Sequence, residues 1–322
     1  MQKFKSIQSY LCFLVALCTG SSCADEPAIR YWHFPCTGEH AITCIADTST
    51  RIVALSGFDS DGHSKFYFSG GKELAVCAYE GEDEVMRKDL HLPQTGGSVM
   101  KLWNDSLYIL HDQLQEVIGL KADGNGDITH FPLPDIEKVF HAETFDNNGF
   151  IVQDAASFSE EMPEFSLLYY HFPNSLVRQS AGFTNTTTGD AVEKQKRDSL
   201  LNLPTIEEVP YGQYTVPLPG TYLGQYGSSL IYTWMEGDMK EDAIISVYSQ
   251  EGACIQRISV PDTNGAPVFS DDGTYAIGES YLSNRAILRG EKVYLICYDL
   301  STLQLQVAEV NLKAIIKTRK NE

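Results

Sequence analysis

Ala266-Pro267-Val268-Phe269-Ser270-Asp271-Asp272-Gly273-Thr274-Tyr275-Ala276-Ile277 reads as a strand, a tight turn and a second strand. Two short runs of apolar and β-branched or aromatic residues flank an Asp-Asp-Gly triplet, whose residues tolerate positive φ and bond their own backbone. Beyond it come a strand from Lys292 to Leu300, a turn at Ser301-Thr302 and a last strand from Gln304 to Leu312. The same order of parts recurs upstream. One copy begins at Val216, turns at Gly227-Ser228 and runs through Leu230–Trp234 and Ala243–Tyr248 to Val260-Pro261. Another begins near Lys138, turns at Asn147-Asn148-Gly149 and has its third strand at Phe165–Phe172. Earlier copies turn at Asn104-Asp105 and at Asp61-Gly62, closing at Leu133-Pro134 and Leu92-Pro93.

The turns at 61, 104, 147, 227 and 271 are spaced 43, 43, 80 and 44 residues apart. The interval of 80 implies a diverged copy between Phe183 and Tyr211, so six units fill Arg51 to Leu312. Four short strands repeated at this period predict an all-β protein, a β-propeller of six four-stranded blades, with five or seven blades also open. A lone four-stranded sheet leaves a face bare, whereas a ring of sheets covers each face with a neighbour. A β-sandwich with turns at similar spacing is the competing reading. The segment 267–277 resembles the strand-turn-strand of blades in TolB-like propellers, with Asp272 where that family has Pro or Asp; the resemblance implies a fold and no activity. The leftover runs Ile29–Phe34 and Ala41–Ala46 are expected either to pair with the last blade and close the ring or to form a short seventh sheet.

The chain has 322 residues, 43% of them apolar, enough for a sizeable core. A formal charge of −19 argues against a nucleic-acid partner, since phosphate binding needs a basic face. At the N-terminus Lys3 and Lys5 precede an apolar run from Tyr10 to Thr19, then Gly20, Ser21, Ser22 and Cys23, the layout of an export signal. It resembles a bacterial lipoprotein signal, which implies cleavage before Cys23 and lipidation of that residue. Gly20 stands where that family prefers Leu, and an ordinary cut after Ala24 is the alternative. Asp25 and Glu26 resemble the export signal of surface-exposed lipoproteins in some Gram-negative bacteria, implying an outer-membrane protein at the cell surface or in the periplasm, joined to the membrane through its lipid. The expected divisions are 1–22 signal peptide, 23–50 anchor and closing strands, 51–312 propeller and 313–322 basic tail. Removing 1–22 leaves 22 basic against 43 acidic side chains, −21.

No G-x-S-x-G, H-E-x-x-H, P-loop or G-x-G-x-x-G string occurs. Asp123, Asn125 and Asp127 have the alternate spacing of a calcium loop, but Ile128 and Pro134 stand where Gly and a bidentate Glu belong; Asp59, Asp61 and His63 fail likewise. His33, Cys36, His40 and Cys44 have zinc-ligand chemistry without a standard spacing, and a Cys36–Cys44 disulfide or free thiols are preferred. No metal or cofactor is therefore expected. The odd number of mature cysteines requires a free thiol, expected in the apolar runs around Cys77 and Cys297.

In a propeller the second-to-third-strand loops and the blade-to-blade loops share one end. Three such loops read as long: Ala155–Glu164 with Glu160 and Glu161, Met235–Asp242 with Asp238 and Glu241 beside Trp234, and Ser280–Glu291 with Arg285 and Arg289. His111 and Asp112 occupy a short equivalent. An aromatic face beside charged groups suits a glycan or peptide ligand, or an envelope protein partner. His141 and Glu143, on an expected innermost strand, are candidates for the central channel. The expectation is a non-catalytic binding protein; the alternative is a carbohydrate-active enzyme using carboxylates of the same end. Cys23→Ala is expected to abolish incorporation of radiolabelled palmitate in a Gram-negative host, and a protein still labelled would remove the anchor.

Overall fold

The structure is a computed structural model. It describes residues 27–35, 46–47, 52–71, 73–93, 100–111, 113–133, 139–145, 149–157, 164–173, 175–178, 183–184, 202–206, 220–234, 242–263, 276–278, 286–299 and 304–318. Among these, the chain forms 23 strands and one short helix.

Two strands come first, β1 (Ile29–Pro35) and β2 (Ala46–Asp47). The first sheet is the meander β3 (Ile52–Ser60), β4 (Lys65–Gly70), β5 (Glu73–Glu80) and β6 (Asp83–Pro93). The second is β7 (Met100–Trp103), β8 (Ser106–His111), β9 (Glu116–Lys121) and β10 (Thr129–Pro132). The third is β11 (Val139–Phe145), β12 (Gly149–Ser157), β13 (Glu164–His171) and β14 (Ser175–Arg178), with β15 (Phe183–Thr184) also paired to β13. A further sheet is β16 (Thr221–Tyr226), β17 (Ser229–Trp234), β18 (Ala243–Tyr248) and β19 (Cys254–Val260). After β20 (Ala276–Gly278), which lies parallel to Ile52–Ala54 of β3, the closing sheet takes β21 (Ala286–Arg289), β22 (Lys292–Asp299) and β23 (Gln304–Asn311). Its fourth strand is β1, antiparallel to β23 from Ile29↔Val310 to Pro35↔Gln304. The helix α1 (Leu312–Thr318) ends the described chain.

Both faces of the first, second and closing sheets are covered, with period two. In β4, Phe66 and Phe68 pack toward the closing sheet while Tyr67 packs toward the second sheet. In β8, Leu107 and Ile109 meet the first sheet while Tyr108 and Leu110 meet the third. In β22, Tyr294 and Ile296 face the first sheet while Val293 and Leu295 face the β16–β19 sheet. One strand feeding two cores is the pattern of a β-propeller, and it accounts for the nearly continuous burial of the middle strands. The outer strands β6 and β10 are largely exposed.

The first, second and β16–β19 sheets keep the turns expected from sequence, although β16 begins at Thr221 and not at Val216. Asn104 and Asp105 both take positive φ, 45° and 56°, in the two-residue β7–β8 turn, as does Gly227 between β16 and β17. Of the two ways to use the first apolar run, closure of the ring is the one found. The last copy differs: its first hairpin is β21–β22 around Gly290-Glu291, not 267–277, because β1 supplies the fourth strand and shifts every role by one. The triplet Asp271-Asp272-Gly273 lies outside the described residues. Phe183 and Thr184, expected to open the diverged copy, pair instead with Phe165 and Glu164 of the third sheet. Of the rest of that copy only 202–206 is described, and Leu203 and Ile206 cover the Leu230, Tyr232 and Tyr248 face of the β16–β19 sheet. Five sheets are thus seen among the described residues, three of four strands, one of five and one of six.

The expected basic tail is helical over 312–318. Asn311 Oδ1 accepts the Ala314 N–H at 3.1 Å, capping α1, and Ile315 and Ile316 pack on the closing sheet. Cys77 and Cys297 are buried free thiols, as expected, and Cys254 is a third, half-buried one. Phe34 anchors β1: it is fully buried against Phe66, Phe68 and Tyr79 with ring centroids 5.6, 5.2 and 5.2 Å away. Phe34→Ala is expected to destabilise the protein by about 3–5 kcal/mol, read as a lower urea midpoint at unchanged slope.

Candidate functional site

The strand order gives the ring two unlike ends. First-to-second and third-to-fourth strand turns share one, the turn end; second-to-third and sheet-to-sheet connections share the other, the loop end. Among the described elements, β3–β4, β7–β8, β16–β17 and β21–β22 are joined by 61–64, 104–105, 227–228 and 290–291. The loop end carries 235–242 between β17 and β18 and the long passage 261–285 between β19 and β21, interrupted by β20.

At the turn end three innermost strands meet on one carboxylate. Asp59 of β3 is fully buried and Arg289 of β21 nearly so, at 11% side-chain exposure. Arg289 Nε donates to Asp59 Oδ1 at 2.9 Å, and its Nη2 donates to Asp59 Oδ2. The same Nη2 donates to the Leu102 carbonyl of β7 at 3.0 Å, while the Leu102 N–H donates to Asp59 Oδ2 at 2.7 Å. The Ser60 N–H completes the set on Oδ1 at 2.8 Å. Gly57 lets β3 and β7 approach here, for a Cβ at 57 would lie 2.5 Å from Ser69 Oγ and 2.6 Å from Met100 Cβ. Nearby, burial followed by the charges of Asp61 and Asp59 pushes the Tyr67 hydroxyl up to about 12.

This arrangement corrects two expectations. Arg289 is not a loop-end ligand group: it lies at the turn end with its guanidinium committed to Asp59 and Leu102. Asp59 is the acceptor at the centre of an inter-sheet clasp, where the sequence offered only a failed calcium spacing. The signal available was an Asp inside the otherwise apolar strand Ile52-Val53-Ala54-Leu55-Ser56-Gly57-Phe58, which calls for a buried cation.

His111 is fully buried, with Nε2 2.9 Å from the Pro93 carbonyl and Nδ1 accepting the Leu114 N–H at 3.3 Å. Both ring nitrogens are therefore engaged in joining the first sheet's end to the β8–β9 turn. Trp234 is 8% exposed and packs on Ile244, so it fills the sheet instead of offering a flat platform. His141 and Glu143 do lie on an innermost strand, β11, in register with Gln153 and Ile151. Asp112, Glu160, Glu161, Asp238, Glu241 and Arg285 lie outside the described residues, as do Cys23, Cys36 and Cys44.

The second calcium-like turn is occupied by a side chain. Lys88 Nζ donates to the carbonyls of Gly124 and Gly126 at 2.9 and 2.6 Å. Asp123 accepts the backbone and side-chain N–H groups of Asn125, which hold its carboxyl below the usual range. Asp61 likewise serves its own turn, accepting from the His63 and Lys65 N–H groups. Among the described residues no group of three or more His, Cys, Asp or Glu is placed to hold a metal.

No family model and no curated protein matches the chain. Among similar solved structures, a nidogen/laminin complex aligns at TM-score 0.32 and 11% identity over 78% of each chain. A luciferin-regenerating enzyme aligns at 0.41 and 10% over 88% of this chain and 95% of that one. Glutaminyl cyclase of Myxococcus xanthus aligns at 0.40 and 10% over 88% and 94%. These scores carry no argument about activity, and the fold rests on the strand order above.

Arg289→Met is expected to cost about 3–5 kcal/mol in chemical denaturation, since it strands a buried charge. Asp59→Asn combined with Arg289→Met recovers part of that loss. A double variant no more stable than Arg289→Met alone would deny the pair its role.

Proposed function

We propose that the protein is an exported, lipid-anchored cell-envelope protein whose propeller holds a ligand or an envelope partner at its loop end without transforming it. The observation that carries this reading is the inequality of the two ends. The turn end holds the two-residue turns 104–105, 227–228 and 290–291 and is tied by the Asp59–Arg289 clasp, while the chain between β17 and β18 and between β19 and β21 is longer, at 235–242 and 261–285. Glu160, Glu161, Asp238, Glu241 and Arg285 are assigned to the loop end by their loops, and a mix of carboxylates with a guanidinium suits hydroxyl-rich or peptide ligands.

Residues 24–322, without lipid, are to be heated against a panel of oligosaccharides and peptides, with a chelator control. A ligand of the folded state raises the thermal midpoint by mass action, about 2.7 kcal/mol at a hundredfold excess over Kd. The reading expects a rise with at least one sugar or peptide, no turnover of it and no loss with chelator. Asp238→Asn and Glu241→Gln should shrink the rise and leave the ligand-free midpoint in place. Trp234→Ala, being a packing change, should lower that midpoint itself. Hydrolysis of an oligosaccharide that disappears in Asp238→Asn would replace binding with carbohydrate-active catalysis.

A further inference from the structure

The closing sheet fixes where the first residues leave the ring. Ile29 is level with Val310, and Val310 with Val293, one residue from the end of β22 at the Gly290-Glu291 turn. The Asn311 N–H donates to the Ala28 carbonyl at 2.9 Å, holding Ala28 at that end. The start of α1 marks the same place: the Leu312 N–H donates to the Glu291 carbonyl at 2.9 Å, and Lys313 pairs with Glu291 at 3.5 Å. Sheet twist inclines outer strands, but these two bonds keep the start of β1 beside the Gly290-Glu291 turn.

Only residues 24–28 separate Cys23 from β1. Five extended residues span at most about 17 Å, whereas the eight-residue β22 of the same closing sheet rises roughly 26 Å from its turn end to its loop end. A lipid on Cys23 therefore reaches membrane from the turn end and not from the loop end. Resting on the anchor reading above, we infer that the turn end of the propeller lies against the headgroup layer of the membrane that holds Cys23, and that the loop end is directed away from it. The tether sets this contact, not charge: Asp61, Asp105 and Asp123 all stand in turn-end connections and give an anionic surface no attraction. Its occupant is the lipid surface itself, and neutral phosphatidylcholine suffices.

The test uses residues 24–322 with a synthetic lipid joined to the N-terminus by enzymatic ligation, so that it does not depend on acylation in the cell. The protein is placed on phosphatidylcholine vesicles containing a nitroxide-headgroup lipid. A small fluorophore is attached through an azide-bearing amino acid either at 251, in the turn-end connection of β18 and β19, or at 114, in the loop-end connection of β8 and β9. The probe at 251 is expected to be quenched several-fold more than the probe at 114. Equal quenching, or stronger quenching at 114, overturns the orientation. Inserting about twenty Gly and Ser residues after Ala24 should erase the difference, and a difference that persists overturns the tether as its cause. Palmitate labelling of native Cys23 reports on the anchor alone, so its failure is separable from a failure of orientation.

Discussion

The pairing of β1 with β23 joins residues near the two ends of the chain, and the ring exists because of it. Without β1 the closing sheet would be three strands wide, and Tyr294, Ile296, Leu305 and Val307 would lose Trp32 and Phe34 from their shared core. The entropic cost of that closure is modest for its length. For about 280 intervening residues the logarithmic law gives roughly 5 kcal/mol, and burial of two aromatic side chains returns roughly 3 kcal/mol each. Polar contacts fix the register. Trp32 Nε1 donates to Glu309 Oε2 at 3.2 Å, and the other oxygen of that nearly buried carboxylate pairs with Lys292 at 2.8 Å. Arg30 lies 3.6 Å from the Trp32 ring centroid, and the Tyr31 hydroxyl donates to the Pro261 carbonyl at 2.6 Å. Burial, then Asp262, Cys297 and Asp242, push that hydroxyl up to about 12, so it stays a donor through the physiological range.

The boundary between the closing and first sheets is aromatic, as is the one between the second and third sheets, where Tyr108, Phe150, Tyr170 and Phe172 meet. Trp32, Phe34, Phe58, Phe66, Phe68, Tyr79 and Tyr294 meet at the former, mostly edge to face, whereas the core shared with the β16–β19 sheet is almost wholly aliphatic. Large flat rings bury much area for few rotatable bonds, so two aromatic side chains of β1 contribute heavily to this core. The Asp59–Arg289 clasp ties the inner edge of the boundary between the closing and first sheets, and β1 ties the outer one.

Where the chain alternates locally, sequence and structure agree. Asp61-Gly62, Asn104-Asp105 and Gly227-Ser228 mark hairpins because turn chemistry is written in neighbouring residues. The closing sheet departs from the sequence expectation for the opposite reason. Nothing in Gln304–Asn311 states that its outer partner is Ile29–Pro35, and Asp271-Asp272-Gly273 is a louder turn signal than Gly290-Glu291. The clasp was illegible because its partners are 230 residues apart. The helix was not: Asn311 before Leu312, Ile315 and Ile316 is an N-cap followed by an apolar face, and the four basic residues of 313–320 drew attention from it. Trp234 and His111 show the limit for site residues, since an aromatic or a histidine at a strand end reads alike whether it awaits a ligand or completes the packing.

Asp59 decides what the turn end can do. A carboxylate offers about four acceptor positions, and Asp59 receives four donors: two from Arg289, one from Leu102 and one from Ser60. A group so saturated has no lone pair left for a metal, a proton acceptor's work or a ligand's hydroxyl, and the guanidinium that neutralises it is spent in turn. The pair is thus a tie between three sheets and not a reactive centre. That leaves the proposed recognition to the loop end, toward which the chain runs between β12 and β13, between β17 and β18 and between β19 and β21.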